Sequence, residues 1–307
     1  MPAALMEDHT GDENIGSHDG QASRDPHWQC NHVLDGCGCA VWSVLMISNW
    51  LLSGSGDGRI CMWSLGHWES TQSMLEGHTD GVASLAANDN FIFSGSADKT
   101  IRVWELGTRE TAHVLEGHTD SVLALAATED HLFSGSCDKN IIMWRIGTWT
   151  CQHVLRGHTD YVRTLAVSDR FLFSGSNDKT IRIWRKEDGE HQRVLQGHSD
   201  WVLSLAVSDD FLISGSEGDI RVWSLDSWDC VRELREDTNG VNSLAAKGNL
   251  LFLGLQDMTI RVWRLGTWEC IRILEGHTDW VYAVAVTDER ILSGSRDGTV
   301  RVWGKVG

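Results

Sequence analysis

The sequence predicts an all-β fold, a seven-bladed β-propeller with four antiparallel strands per blade, closed by the N-terminal strand. Three observations carry that expectation. Tryptophans 63, 104, 144, 184, 223, 263 and 303 recur at intervals of 41, 40, 40, 39, 40 and 40 residues. Self-similarity at a fixed period of this length marks an array of like units. Within a unit, a His, a Ser, an Asp and a Trp keep intervals of 16, 4 and 6 residues, in His78/Ser94/Asp98/Trp104, His118/Ser134/Asp138/Trp144, His158/Ser174/Asp178/Trp184 and His277/Ser293/Asp297/Trp303. Between these anchors lie short β-rich runs separated by Gly/Asp turns, the pattern of closed or radial antiparallel architectures.

The elements follow in chain order. Residues 1–27 lie outside the repeat and hold six acids, one arginine and many small polar residues. Such a composition buries too little apolar surface to fold, so this segment is expected to be a disordered acidic tail. The propeller is expected over 28–307. Its first segment, WQCNHVLDG (28–36), matches WECIRILEG (268–276). The last unit ends at Trp303 with only GKVG after it and lacks its own fourth strand. The N-terminal segment therefore supplies that strand, which joins the ring and removes exposed edges. A typical unit then reads VASLAA (82–87), FIFSGS (91–96), a tight Asp turn, TIRVW (100–104), a polar turn and AHVLEG (112–117).

Composition narrows the function classes. The 307 residues include only two prolines, Pro2 and Pro26, both before the repeat. A body of central strands excludes proline, which cannot donate to a ladder. The net charge of −17 repels phosphate backbones and anionic lipids, so neither nucleic acid nor membrane is an expected partner. The start carries no apolar leader and no 18-residue apolar run exists. A soluble intracellular protein, in cytoplasm or nucleus, is expected. Four of eight cysteines, Cys30, Cys151, Cys230 and Cys270, share one repeated position, which favours reduced thiols serving as small apolar residues. CNHVLDGCGC places Cys30, His32, Cys37 and Cys39 close together, but the spacing matches no compact zinc pattern, and a strand is expected there. The scattered His9, His18 and His27 are weaker still. No metal or cofactor is expected.

The motif GH…SGSxDxTIRVW, over 28–307, resembles the WD40-repeat family. The dipeptide that names the family is absent, because the strand tryptophans are followed by Ser64, Glu105, Arg145, Arg185, Ser224, Arg264 and Gly304. This removes the W-D-x-R signature of receptors that dock on cullin ligase adaptors. The resemblance implies that His, Ser, Asp and Trp bond to one another within each blade. Repetition supports this over a hydrolase reading, since a catalytic triad needs one exposed nucleophile and one oxyanion hole. Three blades depart from the pattern: Cys37 stands for His in the first, the fifth reads SEGDI with no clean Asp, and the sixth has Asp237 for His and Leu253 for Ser. Blades five and six are expected to open first.

The resemblance also implies a top face read by three positions per blade: the residues before and after the Val of GHTDxV, and the residue before the turn Asp. These positions hold Trp42 in blade one, Tyr161 and Arg163 in blade four, Trp201 in blade five, and Trp280, Tyr282 and Arg296 in blade seven. Blades two and three offer small or modest residues there, such as Gly81, Ala83, Ser121 and Cys137. Tyr, Trp and Arg dominate binding hot spots. They are expected to form two patches, blades seven with one and blades four with five, facing an extended peptide or a partner's loop. A second row, Trp28, Trp68, Trp149, Trp228 and Trp268, precedes the outermost strands; each ring either covers its neighbour's strand or forms a second interface.

The expected function is a non-catalytic protein-interaction scaffold, a single propeller within a larger complex. A ubiquitin-ligase substrate receptor is the alternative, weakened because only Arg163 and Arg296 occupy the positions where F-box–WD receptors read phosphate, and because 27 residues are too few for an F-box. A propeller enzyme would need a unique acid, base or metal cluster, and none stands out from the repeat.

Overall fold

The computed structural model describes residues 27–35, 38–66, 68, 73–234 and 240–306. These residues form seven four-stranded antiparallel sheets and, among the described residues, no helix. Blade two shows the common plan: an inner strand Val82–Ala87, then Phe91–Ser96, Ile101–Glu105 and the outermost strand Thr111–Leu115. The second strand is buried at every position after its first, whereas the outermost is exposed until Leu115. A propeller covers both faces of each blade's middle strands with neighbouring blades, so they read as continuous apolar runs rather than alternating ones. The core is accordingly a set of layers between blades. Phe93, Ile101 and Val103 of blade two pack on Val122, Leu132 and Trp144 of blade three.

The ring closes as the sequence predicts. His27–Asp35 pairs antiparallel with Thr299–Val306 as the fourth strand of blade seven, setting Cys30 opposite Trp303 and Leu34 opposite Val300. Blade seven in turn meets blade one. A Cβ added to Gly294 would lie 2.5 Å from Val41 Cγ1 and 2.9 Å from Val44 Cγ1, so the two sheets touch where only glycine fits. Cys30 and His32 flank a β-bulge in this closing strand, and Cys37 lies outside the described residues. Cys30, Cys39, Cys137, Cys151, Cys230 and Cys270 are free thiols. Cys61 is disulfide-bonded, a departure from the expectation of thiols alone.

The polar anchors form one repeated network. In blade two, His78 Nδ1 lies 2.7 Å from Asp98 Oδ2, His78 Nε2 lies 2.8 Å from Ser94 Oγ, and Trp104 Nε1–H donates to Ser94 Oγ at 2.8 Å. A carboxylate only accepts, so Nδ1 carries the imidazole proton and Nε2 accepts from the serine. The same bonds recur in blades three, four and seven. Burial lowers the pKa of His78 and His277 despite their aspartate partners, keeping the rings neutral. Burial raises the Asp98 carboxyl, but hydrogen bonds from Thr100 and His78 outweigh it and bring the pKa down to about 2. Ser94, Ser134, Ser174 and Ser293 are wholly buried, so none is a reachable nucleophile.

Trp184 shows that a network tryptophan does more than donate one hydrogen bond. Its Nε1–H meets Ser174 Oγ at 2.9 Å, as the pattern implies. Its ring, however, is among the largest fully buried side chains. It packs with Phe133, Ile141 and Met143 of blade three and with Leu172 of its own blade. Reading Trp184 from the motif as a bonding partner therefore understates it. The residue lies outside any reachable surface, and its main part is to fill the layer between blades three and four. The burial of so large a ring stabilises by about 2–3 kcal/mol, more than the single hydrogen bond it makes.

Blade five corrects the sequence reading. Its shortened turn still presents a carboxylate, because Asp219 bonds to His198 Nδ1 while His198 Nε2 meets Ser214 Oγ at 2.6 Å and Trp223 Nε1–H donates to Ser214 at 2.9 Å. Arg221 Nε–H donates to the other Asp219 oxygen at 2.8 Å. The lost residue shifts the aspartate by one position without breaking the network. Blade six is incomplete as expected. Leu253 stands where serine would accept, and buried Trp263 Nε1 has no partner among the described residues; Asp237 lies outside them. In blade one, Ser53 Oγ is likewise buried without a partner among the described residues.

The second tryptophan row packs inward. Trp149 meets Phe91 edge-on, with ring centroids 5.0 Å apart, and lies against His113, both in the preceding blade. Trp228 covers Phe171, Trp268 covers Phe211 and Trp28 covers Phe252 in the same way. At the junction of blades one and two the chemistry is reversed, and Arg109 stacks over the Trp50 ring at 4.0 Å. The row is structural cover between blades. None of its members is among the exposed large hydrophobics.

Candidate functional site

Every inner strand carries one β-bulge, at the position after its first valine. Pairing skips from Val41 to Ser43, Val82 to Ser84, Val122 to Ala124, Val162 to Thr164, Val202 to Ser204, Val241 to Ser243 and Val281 to Ala283. A bulge leaves one residue out of the ladder and re-aims its side chain. The skipped residues are Trp42, Ala83, Leu123, Arg163, Leu203, Asn242 and Tyr282. All seven line one funnel of about 400 Å³ at the mouth of the central channel. One of the three positions per blade that the family resemblance assigns to the top face, the residue after the valine, thus converges on a single cavity, and the bulge is the reason.

In blades four, five and seven the residue before the valine stands beside the funnel wall, where Arg163 meets Tyr161 and Trp201, and Tyr282 meets Trp280. The aspartate of the GHTD turn fixes it, for Asp160, Asp200 and Asp279 each accept the backbone N–H of the following residue at 2.8 Å, namely Tyr161, Trp201 and Trp280. The rim aromatics remain open to solvent, with Tyr161 and Trp280 37% exposed and Trp201 40%.

Two arginine–aromatic stacks stand on this face. In blades four and five, the Arg163 guanidinium carbon lies 5.7 Å from the Tyr161 ring centre and 5.6 Å from that of Trp201. Its Nε–H donates to Asn177 Oδ1 at 2.9 Å. Asn177 is itself buried and holds the guanidinium plane in place. In blade seven, Trp280 and Tyr282 meet edge-on with ring centroids 6.2 Å apart, and Arg296 lies 5.4 Å from the Trp280 ring centre. Arg296 Nε is 3.7 Å from an Asp279 oxygen. Burial raises the Tyr282 phenol pKa and keeps it a neutral hydroxyl, free to donate or accept.

Trp42 lines the funnel together with Tyr282 of blade seven and also reaches blade two. Its ring lies over glycine backbone of blades one and two, where an added Cβ would come within 3.2 Å at Gly56 and 2.2 Å at Gly81. The small residues of blade two are therefore the seat of this indole, and not only a smooth stretch of the rim. Asn177 stands before the turn aspartate Asp178, the third face position of blade four, but its role as the brace of Arg163 follows only from the geometry.

The family model described as WD domain, G-beta repeat matches seven segments of the chain, 28–64, 68–105, 109–145, 149–185, 189–224, 228–264 and 268–304. No curated protein matches the chain.

Proposed function

The chain belongs to the WD40-repeat family, a fold that generally mediates protein–protein interaction, and we propose that it is a non-catalytic scaffold that holds a peptide or a partner's loop on its top face. One observation carries the reading. Four large aromatics, Trp42, Tyr161, Trp201 and Trp280, stay exposed around a funnel whose walls are otherwise packed. Blades two and three complete their inner strands with Gly81, Ala83 and Ser121, so the fold itself does not require aromatics there. Exposed Trp, Tyr and Arg gathered about one concavity are the composition of an interaction hot spot. Tyr161, Trp201 and Trp280 stay 37–40% exposed despite their contacts with Arg163, Tyr282 and Arg296, whereas no tryptophan of the other row is so exposed.

The ubiquitin-ligase reading has less support. It rests on phosphate recognition by several arginines, whereas Arg163 and Arg296 stand on blades four and seven and each is already stacked on aromatic rings. The test is capture from source lysate by wild-type protein and by a Trp201→Ala/Trp280→Ala/Tyr282→Ala variant with an unchanged melting temperature. Partners held by the first and lost by the second support the top-face reading. An identical partner set removes it.

A further inference from the structure

We propose that the top face selects an acidic segment, in which an aspartate or glutamate carboxylate is taken by the Arg163 guanidinium while a neighbouring apolar side chain enters the funnel beside Trp42, Leu123 and Tyr282. The proposal rests on the top face being a peptide site and adds the chemistry of the peptide.

Arg163 is prepared for a carboxylate. The bulge turns it into the funnel, two aromatic faces sandwich it, and Asn177 takes its Nε–H. Among the described residues neither Nη makes a hydrogen bond or ion pair. Of the acids in blade four's turns, Asp160 accepts from the Tyr161 backbone and Asp178 is bound to His158 and Thr180, and neither forms an ion pair with Arg163 among the described residues. A fixed guanidinium with both Nη groups free matches the two oxygens of a carboxylate, and charge-assisted bonds of this kind are the strong ones. Its planar fork is already oriented, so little side-chain entropy is lost on binding.

The surrounding charge agrees. Residues 139–193 hold ten Lys/Arg against six Asp/Glu, a positive island in a chain of net charge −17. On the turns of the top face, Lys139, Arg156 and Lys179 are exposed. Arg156 stands where three other GH turns carry Glu76, Glu116 and Glu275 and the fourth carries Gln196. An acidic segment is thus favoured at blade four, where Arg156 and Arg163 stand, over the turns that carry Glu76, Glu116 and Glu275, which biases its placement across the funnel. Arg296, the other top-face arginine, is half exposed and faces Asp279, and competes poorly. A doubly charged phosphate is served best by several converging cations, and the funnel wall presents one.

The test is selection from a randomised display library of nine-residue peptides on the full chain, followed by fluorescence anisotropy of the selected peptide. The expected consensus holds Asp or Glu next to a large apolar residue. Arg163→Gln, checked by thermal melting, is expected to weaken that peptide about 10- to 100-fold, the range for losing charge-assisted hydrogen bonds. Arg163→Glu is expected to select Lys or Arg at the same place. A consensus that depends on Trp201, Trp280 and Tyr282 but holds no acid, or that ignores Arg163→Gln, overturns the proposal and leaves the peptide site standing. A phosphoserine version that binds more than tenfold tighter than the aspartate version overturns it in favour of phosphate. No enrichment dependent on the top face removes the peptide site and this proposal together.

Discussion

Replacing Ser134 by alanine tests whether the repeated polar network holds the blades. Ser134 Oγ is fully buried, 2.7 Å from His118 Nε2 and 2.9 Å from Trp144 Nε1. Ser134→Ala leaves an imidazole nitrogen and an indole N–H without partners in a dry interior. Each orphaned group costs about 1–3 kcal/mol, less the small gain from no longer burying a hydroxyl, so a loss of about 2–4 kcal/mol is expected. For a domain of this size that is a fall in Tm of about 5–15 °C. Ser53 in blade one offers the matched control. It is equally buried, but its Oγ has no partner among the described residues, so Ser53→Ala is expected within about 0.5 kcal/mol of wild type. Urea unfolding of both variants, with m-values compared to confirm that the same surface is exposed, gives the two losses directly. Equal losses from the two substitutions would refute the reasoning, because the bonds would then contribute nothing beyond the burial of a hydroxyl.

Other outcomes follow from the same geometry. Acid should unfold the protein in two stages. His78 and His277 have lowered pKa values, so the unfolded chain binds protons more readily and stability declines as pH falls below about 6.5. Asp98, Asp138 and Asp297 are held down at about 2, so the stability they contribute is present above the ordinary carboxylate pKa and lost between about pH 4 and 2. A Tm-versus-pH curve that stays flat from pH 7 to 3 would contradict this. Gly294→Ala drives a methyl into Val41 at the junction of the first and last blades and should destabilise by about 1–3 kcal/mol in thermal melts; a neutral result would mean the ring is not tightly closed there. Trp149→Ala should cost about 2–4 kcal/mol by uncovering Phe91, whereas Trp280→Ala should leave Tm within about 1 °C, since surface changes away from packing are nearly neutral; similar losses would make the top-face ring structural. In hydrogen exchange, blade six, with Leu253 and the orphaned Trp263 N–H, should open before blade five, which keeps its full network; the reverse order would refute the correction made for Asp219.

The sequence by itself determined the architecture. A period set by one buried tryptophan per blade, together with matched segments at the two ends, leaves a closed seven-unit ring as the way to bury every outermost strand's partner, and pattern alone carries that information because each blade repeats the same local solution. Through the family resemblance it also offered candidate face positions, two beside one valine of each blade and one before the turn aspartate. It could not show why those positions converge, because the β-bulge after that valine is a feature of pairing between strands and leaves no distinct residue type behind: Trp42, Ala83, Arg163 and Tyr282 all occupy it. Nor could interval counting find Asp219, since a carboxylate shifted by one residue reaches the same imidazole once the turn shortens. The family resemblance implied Trp184 as a bonding partner, but the apolar layer its ring fills belongs mostly to the preceding blade and exists only once the two sheets meet. The tryptophans before the outermost strands were legible as a row but not as buried or exposed; their rings reach the preceding blade, and only the three-dimensional packing decides which side chain they meet. The seat of Trp42 over Gly81 was decided in the same way, by the absence of a Cβ on a neighbouring blade.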